Sequence, residues 1–130
     1  PILAAECSDG SHWNAAEFIR RDACDIMRTS THYKGGFTGG MKVGHVAEAF
    51  GMKAEVHGGG HNNLHLCLAL PNNTYYEDLV IDVEDIEAKG QGQLKFENGM
   101  YSFKEQVAGV GIEYDHDELE TISIQKYEKF

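Results

Sequence analysis

The chain has 130 residues, 42% hydrophobic and 25% charged, with 21 acidic against 11 basic side chains and a formal net charge of −10. That length fits one domain, and a negative balance without a basic stripe argues against a nucleic-acid partner. No apolar run approaches the ~18 residues of a membrane helix, no signal-peptide pattern opens the chain, and three scattered cysteines without a CxxC pair fit small core residues in a reducing, cytoplasmic setting.

The first apolar run, Pro1–Ala5, reads as a parallel strand covered on both faces and ends at Glu6. Such a strand needs neighbours on either side. The 130 residues are therefore expected to be the C-terminal portion of a longer chain, or one of two chains sharing a fold. CSDGS is turn-like, Ser11 is a candidate N-cap, and Trp13, Ala16 and Ile19 recur at helical spacing. A second strand is predicted over Ala23–Arg28, followed by a helix over Thr38–Phe50 with Met41, Val46, Ala49 and Phe50 inward and Gly51 just past its end. Gly40 and Gly44 inside that helix cost about 1 kcal/mol each relative to alanine, which makes sense if the helix lies close against a neighbour.

The third unit is Lys53–His65, KAEVHGGGHNNLH. Ala54 and Val56 deliver His57 to a strand end, Gly58–Gly60 turn the chain, and a helix opens at about His61 and runs to Leu70 before Pro71 stops it. A fourth strand is predicted over Thr74–Ile81, with Glu77 near its start. Strands alternating with helices of roughly 10–13 residues mean βαβ units and a parallel sheet: an α/β fold of about four βα units over 1–81. From Asp82 the texture changes. Val83–Lys89 is acidic and loop-like, and Gln93–Phe103 reads as a hairpin with Leu94 and Phe96 inward and Asn98-Gly99 as a type I′ turn. Residues 82–130 form an irregular appendage.

In a parallel α/β sheet the strand ends converge on one crevice. Here they bring Glu6, then Arg28 and Ser30, then His57, then Glu77. A carboxylate there is a hard ligand suited to Mg2+, and an imidazole can act as acid or base near neutrality. Gly58 and Gly59, ahead of a helix start, could offer backbone N–H groups to a carboxylate. Two other signals are set aside. His57, His61 and His65 stand four apart, but three glycines make His57 non-helical and there is no HExxH glutamate, so a zinc site is not expected. GGFTGG lacks the GK[ST] of a P-loop.

The runs PILAAE, DIMRTSTHYKGGFTGGMKVGHVAEAFGMKAEVHGGG, NNLHLCLALPNNTYYE and AGVGIEYD resemble the C-terminal half of the enolase superfamily, in its mandelate racemase-like branch. The resemblance implies the later units of a (β/α) TIM-type barrel and Mg2+-assisted removal of the proton α to a carboxylate, in keeping with the superfamily's use of a Lys or His base with Mg2+. By the same resemblance Glu6 is the third metal ligand, His57 the acid–base residue and Glu77 a carboxylate hydrogen-bonded to the substrate. Ser30 stands where many members carry an aspartate that pairs with the histidine, so the imidazole must be oriented by something else. Arg28 is then a candidate substrate contact. The wording is closest to acid-sugar dehydratases. A racemase or epimerase is the alternative, and a non-catalytic binding module the alternative of another class. The remaining ligands and a capping domain are expected upstream, in an enzyme that is a homo-oligomer by family analogy.

Overall fold

The computed structural model describes residues 1–78, 94–104, 108–112, 117, 120 and 121. Three parallel strands, β1 (Leu3–Ala4), β2 (Ile26–Thr29) and β3 (Lys53–Val56), form a sheet in sequence order. Each leads into a helix: α1 (Ser11–Arg20), α2 (Gly36–Ala49) and α3 (His61–Ala69). β4 (Leu94–Glu97) and β5 (Met100–Phe103) make a separate antiparallel hairpin.

Alternation along β2 and β3 decides what the sheet faces. Met27, Ala54 and Val56 are fully buried; Met27 and Ala54 cluster with Ala15, Val43 and Ala47, and Val56 with Leu66 and Leu70. Burying a side chain of valine or leucine size stabilises the fold by about 1.5–3 kcal/mol. Arg28 and Glu55, paired in register, alternate onto the opposite face and are also buried. Helices on one face and buried polar groups on the other are the arrangement of a barrel wall. The α/β class and the C-terminal hairpin read from the sequence both hold.

Several details differ from the expectations. β1 is two residues long and lies at the sheet edge among the described residues, with Ile2 62% and Leu3 40% exposed, so it is not covered on both faces. α1 turns Ala15, Phe18 and Ile19 inward and leaves Trp13 exposed, because the residues at i, i+3 and i+4 make one stripe. Gly10, not Ser11, occupies the N-cap of α1; Ser11 has a φ of 47° and donates its hydroxyl to the Lys34 carbonyl at 2.8 Å. α2 buries Val43 and Ala47, while Ala49 and Phe50 face out. Gly51 has the predicted left-handed backbone, φ 69°. The close neighbour implied by Gly40 and Gly44 is α3 with its C-cap, since a Cβ at Gly40 would sit 2.8 Å from Leu66 Cδ2 and one at Gly44 2.2 Å from Cδ2 of the C-cap Leu70.

No strand forms over Thr74–Asp78. Ala54 N–H donates to the Asn72 carbonyl at 3.1 Å, but Val56 N–H donates to the Asn73 side chain at 3.1 Å. An amide side chain takes the place of the next ladder acceptor, so the backbone leaves the sheet. The hairpin turn has φ of 53° at Asn98 and 77° at Gly99, both positive as type I′ requires. Tyr101 packs on Tyr76 with ring centroids 4.7 Å apart and Phe103 stacks on His65 at 4.2 Å. Phe96, expected inward, is 63% exposed. Val83–Lys89, the expected strand beyond Asp78, the boundary at 81/82 and Glu113–Asp115 lie outside the described residues. Among the described residues no helix is long and apolar enough to cross a membrane.

Candidate active site at the strand ends

Glu6 leaves β1, Arg28 sits within β2, His57 follows β3, and Glu77 lies on the segment beyond α3. The structure brings all four together. His57 Nδ1 is 2.8 Å from Glu77 Oε2, and His57 Nε2 is 3.3 Å from Glu6 Oε1. Arg28 lies beneath them: Nε reaches Glu6 Oε2 at 3.3 Å and NH2 reaches Glu77 Oε1 at 2.5 Å and His57 Nδ1 at 3.2 Å. Its NH1 donates to the Val56 carbonyl at 3.4 Å and Tyr75 Oη at 3.2 Å.

Four of the five N–H groups of the guanidinium thus have protein acceptors, and the fifth lies against the His57 ring. Arg28 therefore organises the cluster, and its donors point at protein acceptors instead of a substrate. Burial opposes its charge, yet Glu77, in both hydrogen bond and charge, holds its pKa above the ordinary arginine value. The reciprocal holds for Glu77. Burial pushes its carboxyl up, but the Gly58 N–H at 2.8 Å and Arg28 hold it below the usual carboxylate range. Both Glu77 oxygens are thus engaged inside the protein.

The imidazole finds here the orienting partner that Ser30 cannot supply. A carboxylate at 2.8 Å is a better partner for Nδ1 than a guanidinium at 3.2 Å, because a guanidinium can only donate. Nδ1–H therefore donates to Glu77, and Nε2 faces Glu6 and the crevice. Tyr33 covers one face of the ring, nearly parallel to it with centroids 5.9 Å apart.

The other expected substrate contacts turn out to have structural partners. Ser30 is 1% exposed and its hydroxyl accepts the His32 N–H at 3.0 Å. Gly58 N–H is taken by Glu77 and Gly60 N–H donates to Tyr76 Oη at 2.6 Å. A Cβ at Gly59 would lie 3.1 Å from Tyr76 Oη. His61 is 1% exposed, among the described residues neither of its ring nitrogens has a hydrogen-bond partner, and burial lowers its pKa.

Two residues that sequence reading passed over hold the loops. Asn63 is fully buried; its Oδ1 accepts Thr31 N–H at 2.9 Å and Thr31 Oγ1 at 2.8 Å, while Nδ2 donates to the carbonyls of His57 at 2.8 Å and Gly58 at 3.1 Å. Its signal in the sequence is an amide in the first turn of an apolar helix. Lys34 is 2% exposed, and its ammonium donates to Ala5 O at 2.6 Å, Ser8 O at 2.7 Å and Ser8 Oγ at 3.2 Å. A lysine beside two glycines carries no such signal.

For a divalent cation, Glu6 offers a hard oxygen donor. Its side chain is 39% exposed and its contacts to Arg28 and His57 are both at 3.3 Å, loose enough to be exchanged for a metal. Among the described residues no group of three or more His, Cys, Asp or Glu is placed to hold a metal, so Glu6 fits as one ligand of a shell.

Against known proteins, no curated protein matches the chain. Among solved structures it is similar to a D-glucarate dehydratase from Agrobacterium tumefaciens complexed with magnesium, with 31% identity, a TM-score of 0.78, and coverage of 93% of this chain and 33% of that one. It also resembles an L-talarate dehydratase from Polaromonas sp. JS666 complexed with Mg and L-glucarate (22%, TM-score 0.70, 88% and 29%). A dipeptide epimerase from Cytophaga hutchinsonii complexed with Mg and a dipeptide is similar too (22%, TM-score 0.67, 85% and 32%); at these identities the last two share the fold alone. The chain thus spans about a third of the length of these solved relatives. The family model described as enolase C-terminal domain-like matches residues 1–118, and the chain belongs to that family.

Proposed function

We propose that the chain supplies the acid–base half of the active site of a larger Mg2+-dependent enzyme of the enolase superfamily, a lyase that removes water from an acid sugar. The observation that carries this is His57, held between two carboxylates at the strand ends with Nε2 toward the crevice. The 31% identity to a D-glucarate dehydratase over 93% of this chain supports the substrate class.

In this reading Glu77 fixes the ring through Nδ1, Arg28 fixes Glu77, and Nε2 is the atom that gains and loses a proton. Nε2 takes the proton from the α-carbon, the C–H bonding pair becomes the new carbon–carbon double bond as the β-hydroxyl leaves with its own pair, and the proton returned from Nε2 turns that hydroxide into water. Glu6 is one oxygen ligand of the cation, the others coming from outside this chain's described residues. Mg2+, when bound, supplies positive charge that offsets the charge building on the substrate carboxylate.

The test is His57→Asn in the complete enzyme, assayed on a panel of acid sugars with Mg2+. Turnover should fall by roughly 10²–10⁴-fold, the worth of a general acid or base, while Mg2+ affinity by calorimetry stays unchanged. Retained turnover would assign the proton transfer elsewhere. Deuterium incorporated from solvent without loss of water would replace the dehydratase by a racemase or epimerase.

A further inference from the structure

Glu6 must present its carboxylate to the crevice from a short loop, and the loop is not relaxed. Ala5, immediately before it, has a φ of 70°, a left-handed backbone that brings the Cβ too close to the following carbonyl oxygen and that residues other than glycine rarely adopt. Strain of this kind persists where surrounding contacts over-determine the backbone. The contacts here come from the Ser8 hydroxyl, which donates to Ala5 O at 3.1 Å, and above all from Lys34. Its three N–H donors go to Ala5 O on one flank of Glu6-Cys7 and to Ser8 O and Ser8 Oγ on the other. A lysine has three donors, so the ammonium is fully committed to this loop.

The base of the clamp is fixed as well. Lys34 O accepts the Ser11 hydroxyl at 2.8 Å, and a Cβ on Gly39 would lie only 1.4 Å from that oxygen. The lysine backbone is wedged against the first turn of α2, and its side chain crosses to the loop after β1. Burying an ammonium is costly unless it is hydrogen-bonded, and a neutral side chain of the same length would fill the space without that cost. The placement makes sense for a group that must grip carbonyl oxygens.

We propose that Lys34 is the positioning residue for the Glu6 carboxylate, clamping both ends of the Ala5–Ser8 bend so that Glu6 meets the cation in a single orientation. This rests on the reading of Glu6 as a Mg2+ ligand, and the experiment separates the two. In the complete enzyme, Lys34→Met, Ser8→Ala and Glu6→Gln are compared with the parent by Mg2+ calorimetry, thermal melting and the EPR line shape of Mn2+ in place of Mg2+. Lys34→Met is expected to weaken Mg2+ at least tenfold and to move the Mn2+ spectrum toward that of Glu6→Gln. Ser8→Ala, which removes the 3.2 Å contact to Lys34 together with the 3.1 Å hydrogen bond that the Ser8 hydroxyl donates to Ala5 O, is expected to weaken Mg2+ about threefold at an unchanged melting temperature. Lys34→Met with a lowered melting temperature but parental affinity and spectrum makes Lys34 a structural staple and overturns the proposal. Should Lys34→Met not fold, parental affinity in Ser8→Ala overturns it instead. Parental affinity in Glu6→Gln overturns the metal reading itself, whatever Lys34 does, and the inference falls with it.

Discussion

The loops after β1 and β3 each deliver one site residue, and they do so in opposite ways. After β3 the side chain itself is fixed: His57 has a partner on Nδ1, a tyrosine over its face, and a carbonyl held by Asn63. After β1 only the backbone is fixed. Lys34 grips the carbonyls around Glu6, while the carboxylate is 39% exposed and touches its neighbours at 3.3 Å. The difference matches what each group is proposed to do. A proton-transfer group must be within reach at the right angle before the substrate arrives, whereas a metal ligand must keep lone pairs that it can give up to the cation.

The most severe way to break this contrast is Arg28→Met, because the guanidinium contacts both Glu6 and Glu77. Two carboxylates would then face the imidazole without their cation. The cost should be about 2–3 kcal/mol in denaturant unfolding, less than for a fully buried pair because both carboxylates see solvent. Unchanged stability would mean that the cluster is held from elsewhere.

Asn63→Ala attacks the β3 loop alone. It leaves the His57 and Gly58 carbonyls and the Thr31 N–H without their partner, and buried groups stripped in this way cost about 1–3 kcal/mol. Mg2+ affinity should hold while stability falls. If the metal weakens as much as in Lys34→Met, the two loops are not independent.

Acid sharpens the comparison further. Glu77 is held below its ordinary value of 4.5 by Gly58 and Arg28 against the effect of burial. The unfolded chain therefore takes up the proton first, so the stabilisation is complete above about pH 4.5 and is lost as pH falls through the folded value. Unfolding followed from pH 6 to 3 should show this loss, and Glu77→Gln should flatten it. The smallest effect is a labelling one. Cys7, exposed in the β1 loop, should react readily with a thiol reagent at pH 8, whereas Cys67 is buried beside the Tyr75 carbonyl with a thiol pushed up to about 12 and should stay silent until the protein unfolds. Equal rates would show α3 opening as easily as the β1 loop.

Legibility of the chain followed the range of the forces involved. The parallel α/β order, the three helices, the Asn98-Gly99 turn and the gathering of Glu6, Arg28, His57 and Glu77 could be read from the sequence, because periodicity, glycine backbone freedom and strand-end placement are local properties. Helix faces were less legible: Val43 and Ala47, not Ala49 and Phe50, point inward, since the neighbour and not the spacing chooses the stripe. The expected strand at Thr74 failed because one Asn73 side chain took the Val56 N–H.

By itself, then, the sequence determined which groups of the described chain meet at the strand ends. Only the tertiary structure decided their partners: that Arg28 spends its donors on the protein, that Glu77 orients His57 where Ser30 cannot, and that Lys34 and Asn63 hold the loops. These are contacts between residues 20 to 49 positions apart in most cases, set by how the loops pack, and hydrogen-bond geometry over that separation leaves no periodic trace in the chain.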